Sequence, residues 1–275
     1  MKKTLVIFFI LLVQEINSFA QNVMDQSEEI KFESRAEAKH WEKGQESTYD
    51  LFRAVDARED ISEEKWFDLL SDLDHKQAKK GNGIALLRSI FEKSHRNLFK
   101  KYEQHSSFNA MLTEGKFDCV SGSAALGMLL NRYGFNFEII ETDYHVFIVV
   151  NFEDENIIFE STLPVGGMIT SQTQVLNYLE SYKPTTTAQF YTLNQRLGDS
   201  DRVLDDKSIF RKVSLTQLAG LQYYNDAISH FNAQYFSTAS LQLNKALALY
   251  PSERIEGLKS LAIEQAYKTF GKDIE

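Results

Sequence analysis

The spacing of hydrophobic and polar residues predicts a helical first third for the chain. Apolar residues such as Ile84, Leu87 and Phe91 fall on one stripe at helical spacing, with charged residues between them. We expect the charged residues throughout this helical region to lie on solvated faces. The predicted helices cover residues 27–43 and 47–58, a stretch from a capping box at 60–63 to the glycines at 81 and 83, and residues 84–102 and 107–112.

The middle of the chain changes to one buried helix followed by three strands. Small and apolar residues after Cys119 predict a helix of about four turns that ends before Gly134. Apolar patterns then predict strands over 135–140, 145–150 and 157–162, the last two joined as a β-hairpin by the polar residues 154–156. Residues 165–167 indicate a turn, either a plain loop or the rim of a cleft. Further predictions are a helix over 172–182, a strand over 188–193 and an exposed acidic loop over 199–206.

From residue 214 the pattern is helical to the end. Helices are predicted over 215–233, 236–250 and 253–270. The spacing of Ala227, Ala239, Leu243, Ala246 and Pro251 matches one tetratricopeptide repeat, in which small residues allow paired helices to cross. About three repeats are needed for a free-standing array. This tail is therefore either a structural helical hairpin that packs on the rest of the chain, or a surface that docks a protein partner.

Residues 1–20 have the pattern of a signal peptide. Lys2 and Lys3 precede the apolar run 5–13, and Ser18-Phe19-Ala20 offers small residues at a cleavage site. The run is too short to span a membrane, so we expect export to a periplasm or out of the cell and no stable span after cleavage. The alternative is a retained N-terminal anchor.

Charge and cysteine content narrow the function. The net charge of −9, with no basic cluster, argues against general nucleic-acid binding. The one cysteine excludes an intramolecular disulfide, although an exported compartment would permit one. A lone thiol in an exported chain is either buried or used, which directs attention to Cys119.

Three residues in the middle of the chain form a candidate catalytic set. Cys119 opens a helix, where free N–H groups and the helix dipole favour a thiolate. His145 begins the second strand and Glu160 ends the third, so neighbouring antiparallel strands would bring them side by side as base and orienting group. Asp143 is a rival for the orienting role, although it lies too far along the strand. One cysteine and one such histidine fall short of a zinc site, so we predict neither metal nor cofactor. No role is assigned to the remaining histidines: His40, His75, His95, His105 and His230.

This set resembles the transglutaminase-like superfamily, whose core is similar to papain. In that family a cysteine opens a helix, a histidine on a strand precedes hydrophobic residues, and Asp or Asn on the next strand often precedes Thr and Pro. The matching motifs, within residues 105–170, are Asp118-Cys119-Val120-Ser121, His145-Val146-Phe147 and Glu160-Ser161-Thr162-Leu163-Pro164. Two positions depart from the family pattern. Glu160 stands where Asp is usual, and Phe147 stands where Trp is common.

The resemblance implies an α+β fold, with a papain-like core in which a cysteine-bearing helix packs on a small antiparallel sheet. The predicted divisions are a signal peptide (1–20), a helical region (21–104), the core (105–212) and the helical tail (213–275). The implied activity is attack of a Cys119 thiolate, paired with His145, on an amide of a peptide or protein, through a thioester. Hydrolysis is favoured over transfer to an amine. The Cys119 N–H would serve the oxyanion, with Asn109 and Gln104 as guesses for a second donor. The alternative is an inactive transglutaminase-like fold that serves as an exported binding or scaffold protein.

Overall fold

The computed structural model describes residues 30–183 and 209–274, so the predicted signal peptide, the strand over 188–193 and the acidic loop over 199–206 lie outside the described residues. One compact unit begins at Phe32 and extends to the C-terminus. The described helices, in chain order, are α1 (Arg35–Lys43), α2 (Thr48–Ala54), α3 (Glu64–Lys80), α4 (Ile84–Asn97), α5 (Phe108–Glu114), α6 (Cys119–Arg132), α7 (Gln172–Tyr182), α8 (Leu215–Asn232), α9 (Phe236–Leu249) and α10 (Glu253–Phe270).

The described strands form two sheets and make the fold α+β. Lys101–Tyr102 (β1) and Lys116–Phe117 (β2) pair in parallel. The larger sheet holds β3 (Asn136–Thr142), β4 (Val146–Phe152), β5 (Glu155–Phe159), β6 (Met168–Ile169) and β7 (Phe210–Val213). Its order is β6-β5-β4-β3-β7, and all of its neighbouring strands are antiparallel.

The helical first third is confirmed, but several boundaries differ. The helix expected over 27–43 begins at Arg35, and the helix expected over 47–58 ends at Ala54. Side chains of Ser34 and Ser47 cap α1 and α2. The expected capping box at 60–63 is wrong, because the Glu63 carboxylate accepts hydrogen bonds from Tyr49 and Arg53 instead. The helix expected over 84–102 ends at Asn97, and the chain then turns into the short strand β1.

Not all charges of this region are solvated. Arg53 is buried between Glu63 and the side chain of Asn109, and Glu37 is buried against Lys245 of the tail. The expectation of a solvated face is therefore wrong for these residues. Periodicity could not show this burial, because the partner of Glu37 lies in the tail, far along the sequence.

The central helix and hairpin follow the predicted pattern. Side chains of α6 from 120 to 130 are all buried, and the chain leaves the helix through Gly134 at φ 70°. Strands β4 and β5 form the expected hairpin, with Glu153 and Asp154 at positive φ in its turn. Strand β7, which the sequence did not predict, pairs with the outer edge of β3.

Each face of the large sheet is covered by a helix. Alternate residues of a strand point to opposite faces, so one strand can contact both helices. Ile139 and Phe137 approach Gly127 of α6. Ile140, Phe147 and neighbouring apolar side chains pack instead with Val175 and other apolar residues of α7. The Cys119 helix and α7 thus cover opposite faces, and the end of the sheet where β4 begins is accessible to both.

The tail is helical as predicted. Helices α8 and α9 cross where Gly220 faces Tyr250, a contact that leaves no room for a larger residue. Helix α8 also packs on α6 and α2. One link joins the tail to the Cys119 helix directly, since Asn225 donates a hydrogen bond of 3.0 Å to Asp118.

Candidate active site

His145 and Glu160 meet at the end of the large sheet. The imidazole Nε2 lies 2.5 Å from the Glu160 Oε2 atom. The pairing follows from the hairpin, because continuing the β4–β5 register places His145 diagonally across from Glu160 on one face. Glu160 is 2% exposed and His145 is 18% exposed, so the carboxylate is enclosed while the imidazole keeps access to solvent.

The Glu160 carboxylate is held from several sides. Its Oε1 accepts the N–H and the hydroxyl of Thr162 at 2.8 and 2.6 Å. Its Oε2 accepts the Tyr178 hydroxyl in addition to His145. Burial is the largest single influence and raises the pKa of Glu160, but these hydrogen bonds together outweigh it and hold the pKa below its ordinary value. The group is therefore an anion at neutral pH.

This anion fixes the tautomer of the neutral His145 ring. A carboxylate can only accept, so Nε2 must donate its proton to Glu160. The Nδ1 atom then carries the lone pair and is available as a base. The glutamate thus does for His145 what an orienting residue does for a catalytic imidazole.

The turn between β3 and β4 holds His145 in place. The Thr142 N–H donates to the His145 carbonyl at 2.8 Å, and the Thr142 hydroxyl contacts both the backbone N–H and the carbonyl of His145. Asp143, the rival orienting residue, accepts the backbone N–H of Ile209 at 2.7 Å. The carboxylate that bonds His145 is that of Glu160.

Cys119 opens α6 behind a well-formed cap. Asp118 accepts from the Ser121 N–H at 2.8 Å, and Ser121 in turn accepts the Asp118 N–H, which completes a capping box. Cys119 is intermediate between buried and exposed. The Val146 N–H, next to His145 in the chain, lies near enough to lower the pKa of the sulfur. All three predicted residues therefore lie at the end of the sheet where β4 begins and β5 ends, although among the described residues no hydrogen bond joins the sulfur to the imidazole.

The Cys119 thiol is protonated at neutral pH. Burial, followed by the Asp118 carboxylate, raises the pKa of Cys119 to about 12, against the smaller opposing effect of the Val146 N–H. The expectation of a thiolate from the helix start is therefore wrong for this arrangement. The residue that caps the helix is itself a buried carboxyl group. Burial raises the pKa of Asp118, against hydrogen bonds from Ser121 and Asn225 that favour the anion, and the charge of that anion opposes the helix dipole at the sulfur.

Replacing Asp118 by asparagine should accelerate alkylation of Cys119. Asparagine can still cap the helix, but the neutral amide no longer disfavours the thiolate, so the pKa of Cys119 should fall by about one unit. The thiolate fraction then rises about tenfold, and lower intrinsic nucleophilicity offsets part of this gain. We expect iodoacetamide alkylation at pH 8 to be about threefold faster.

The matched control is Asp143→Asn, which neutralises a carboxylate near His145 that is bonded to Ile209. It should change the alkylation rate much less than Asp118→Asn does. Equal rates in the wild type and Asp118→Asn would show that the Asp118 charge does not act on the thiol.

The first turn of α6 supplies the donors that an oxyanion needs. The capping box engages the N–H groups of Asp118 and Ser121, and the Cys119 and Val120 N–H groups have no partner within the helix. Asn109 is not a donor here. Its amide donates to the carbonyls of Arg53, Val55 and Asp56, and its oxygen accepts from Arg53, so its role is structural. Gln104 is exposed before α5 and remains a guess.

Residues that the sequence did not single out complete the surroundings. Tyr182 of α7 stacks on His145 with ring centroids 5.7 Å apart. His95 of α4 packs on Phe91 and lies near Glu160, and burial lowers its pKa to about 4, so it is neutral. Tyr102 is half-exposed and close enough to Cys119 for the two groups to interact electrostatically. The helical periodicity of α4 and α7 places these rings on a face, but only the fold brings those faces to the site.

In the part of the chain that the structure describes, no cluster of possible metal ligands includes a site residue. Among the described residues one group, Glu33, Asp226 and His230, brings possible ligand atoms within 4.8 Å of one another. It involves α8 and includes none of the three site residues. Its geometry is accounted for as an ion pair, since the hydrogen bond to Asp226 raises the pKa of His230.

Among the described residues, no helix has both the length and the apolar character that crossing a bilayer requires. The family resemblance rests on the order of Cys119, His145 and Glu160 and on their motifs. No protein-family model, no curated protein and no solved structure matches the chain.

Proposed function

We propose that this chain is an exported, transglutaminase-like cysteine enzyme that cleaves or transfers acyl groups of peptide amides. The observation that carries the proposal is the 2.5 Å bond between His145 and Glu160, beside the helix start that holds Cys119. An oriented imidazole, a thiol at the same end of the sheet and two N–H groups with no partner inside the helix are the parts that acyl transfer needs. The packing of α6 on an antiparallel sheet supports a papain-like core.

The mechanism starts from a neutral thiol. His145 Nδ1 takes the Cys119 proton as the sulfur bonds to the carbonyl carbon, and the carbonyl electron pair becomes an oxyanion held by the Cys119 and Val120 N–H groups. When the oxyanion collapses, the C–N bond breaks and the imidazolium gives its proton to the leaving amine. Glu160 stabilises the imidazolium throughout. The product is a thioester on Cys119 and a free amine.

The thioester then passes its acyl group to water or to a second amine. In either case His145 removes a proton from the attacking molecule and returns it to the sulfur, which restores the thiol. We favour water, and therefore an amidase or peptidase, because the His145 ring, at 18% exposure, keeps access to solvent. Exposed side chains of Tyr102, Tyr144 and Val165, next to or close to the site residues, suit a peptide or protein substrate. The acidic net charge argues against nucleic acid.

The test is acylation of Cys119 by p-nitrophenyl acetate. We expect a burst of one p-nitrophenol per chain and one acetyl group on Cys119, detected by mass spectrometry. Cys119→Ala should abolish the burst, and His145→Ala should slow it at least about a hundredfold, since general base catalysis contributes about 10²–10⁴. Adding an amine such as cadaverine then separates transfer from hydrolysis, because transfer yields an acetylated amine.

If His145 does not act as a base for Cys119, the acylation experiment has a different result. Acylation that is slow and identical in the wild type and His145→Ala would contradict the proposed enzyme. A second test measures the rate of Cys119 alkylation by iodoacetamide over pH 6–10. In the wild type this rate should change as His145 is protonated, and in His145→Ala that change should be missing. Circular dichroism of both variants shows that the fold is intact.

A binding protein with an inactive site is the second candidate. Two observations favour it: the raised pKa of Cys119, and a cleft of about 460 Å³ that contains none of the three site residues. The cleft lies at the β3–β7 edge beside α7, and its lining includes Phe137, Leu179 and Arg211. In this case the helical tail would dock a protein partner. Absence of the burst, together with a folded chain, supports this candidate.

A further inference from the structure

Tyr178 reaches the active-site carboxylate from the opposite face of the sheet to α6. Its hydroxyl donates to Glu160 Oε2, the same oxygen that receives His145 Nε2. The ring packs edge-on against Phe147, with centroids 5.0 Å apart. Helix α7 is anchored on the sheet by Val175, which is 1% exposed. The hydroxyl is therefore fixed in place by packing and is part of the site.

We propose that Tyr178 is a positioning residue that acts through Glu160 and limits how strongly the carboxylate holds the proton of His145. The inference rests on the proposed function and assigns a role to α7, which the sequence left out of the site. Two donors share one carboxylate oxygen, so each receives less of its negative charge. Thr162 meanwhile keeps the other oxygen in place through two hydrogen bonds.

The sharing of Glu160 Oε2 between Tyr178 and His145 fits the proposed mechanism. Because the thiol is protonated at rest, only the neutral form of the His145 ring can accept its proton. A buried glutamate bonded only to the imidazole would stabilise the imidazolium and leave no free base. The Tyr178 hydroxyl weakens that stabilisation without adding a charge. A glutamate with its extra methylene also gains from the lateral restraint, since it has one more rotatable bond than aspartate.

Other groups also face the His145–Glu160 pair and must stay unchanged in a test. His95 comes from α4, Tyr102 from β1 and Cys119 from α6, and each lies near enough to Glu160 to interact electrostatically. Tyr182 comes from α7 and stacks on the imidazole. A substitution that removes only the Tyr178 hydroxyl leaves His95, Tyr102 and Cys119 in place. It also removes the contact of that hydroxyl with Tyr182, whose ring keeps its own packing on Phe147 and His145.

The experiment is an NMR titration of the His145 ring in the wild type and in Tyr178→Phe. We expect the protonation midpoint of His145 to rise by about one pH unit in the variant, because Glu160 Oε2 then serves the imidazole alone. Placing 3-fluorotyrosine at position 178, a stronger donor that keeps the fold, should move the midpoint down. An unchanged or lowered midpoint in Tyr178→Phe overturns the proposal.

Tyr49→Phe is the matched control. The Tyr49 hydroxyl also donates to a glutamate, Glu63, at 2.9 Å, but it belongs to α2 of the helical layer and not to α7. This variant loses the same kind of hydrogen bond and should leave the His145 midpoint unchanged. The titration does not depend on turnover. If the acylation burst is missing but the His145 midpoint shifts in Tyr178→Phe, the proposed enzyme is refuted and the role of Tyr178 stands. If the burst is present but the midpoint does not shift, the enzyme stands and the role of Tyr178 is refuted.

Discussion

Lys245→Met should be among the most destabilising single substitutions in the chain, at a cost of about 3–5 kcal/mol in the free energy of unfolding. Lys245 is fully buried, and its ammonium lies 2.5 Å from Glu37 Oε1 and over the rings of Tyr223 and Phe32. Methionine fills a similar volume, but it leaves the Glu37 carboxylate buried without its cation. Urea unfolding followed by circular dichroism measures the loss.

Two variants isolate the cause. Lys268→Met makes the same substitution in an exposed i,i+4 pair with Glu264 and should cost less than about 0.5 kcal/mol. Adding Glu37→Gln to Lys245→Met removes the stranded charge, while the amide oxygen can still accept the Glu33 N–H. We expect the double variant to recover about half of the lost stability or more. If Lys245→Met and Lys268→Met cost the same, the buried pair does not stabilise the fold.

The parts of the site that local pattern controls could be predicted from the sequence. Small and apolar residues after Cys119 specify a helix buried on all sides, and Gly134 at positive φ ends it. Period-two alternation and a polar turn specify the β4–β5 hairpin, which by itself places His145 next to Glu160. These features depend on neighbours within a few residues, or on one hairpin register, and so are visible in the sequence.

The parts that depend on distant partners could not be predicted. Hydrophobic periodicity predicts that α7 is a helix. It does not predict that the Tyr178 hydroxyl bonds the carboxylate of Glu160, which follows β5. The burial of Asp118 beside Cys119, completed by Asn225 of the tail, reverses the ionisation expected from a helix start. Strand β7 is four residues long, and its pairing with β3 spans about seventy positions. Each of these features is a long-range contact that no local pattern encodes.

The regions outside the predicted core help to build the site. The tail donates to the cap of the Cys119 helix through Asn225, and its Gln222 joins the N–H of Phe108 to the carbonyl of Phe52. The N-terminal layer holds Asn109 by four hydrogen bonds. The tail is therefore joined by a hydrogen bond to the residue that precedes Cys119.

Gly167→Ala should destabilise the fold by about 3 kcal/mol and release Glu160 from His145. A methyl group at position 167 would collide with the backbone carbonyls of Leu163 and Glu160 and with the ring of Phe91. Backbone carbonyls cannot turn aside as a side chain would. The Gly167 carbonyl also accepts the Glu160 N–H at 2.8 Å, so any shift of this turn moves the carboxylate. The turn predicted at 165–167 is thus a packed support for the site.

Urea unfolding and the NMR signal of the His145 ring measure the two consequences separately. The control is Gly257→Ala, at an exposed helical position of α10 where an added methyl group meets nothing within 4 Å. There alanine should stabilise the fold by about 0.5–1 kcal/mol, because glycine is a poor helix former. A Gly167→Ala variant that is as stable as the wild type, with an unchanged His145 signal, would mean that the turn does not hold Glu160. The support of the carboxylate would then fall to Thr162 and Tyr178 alone.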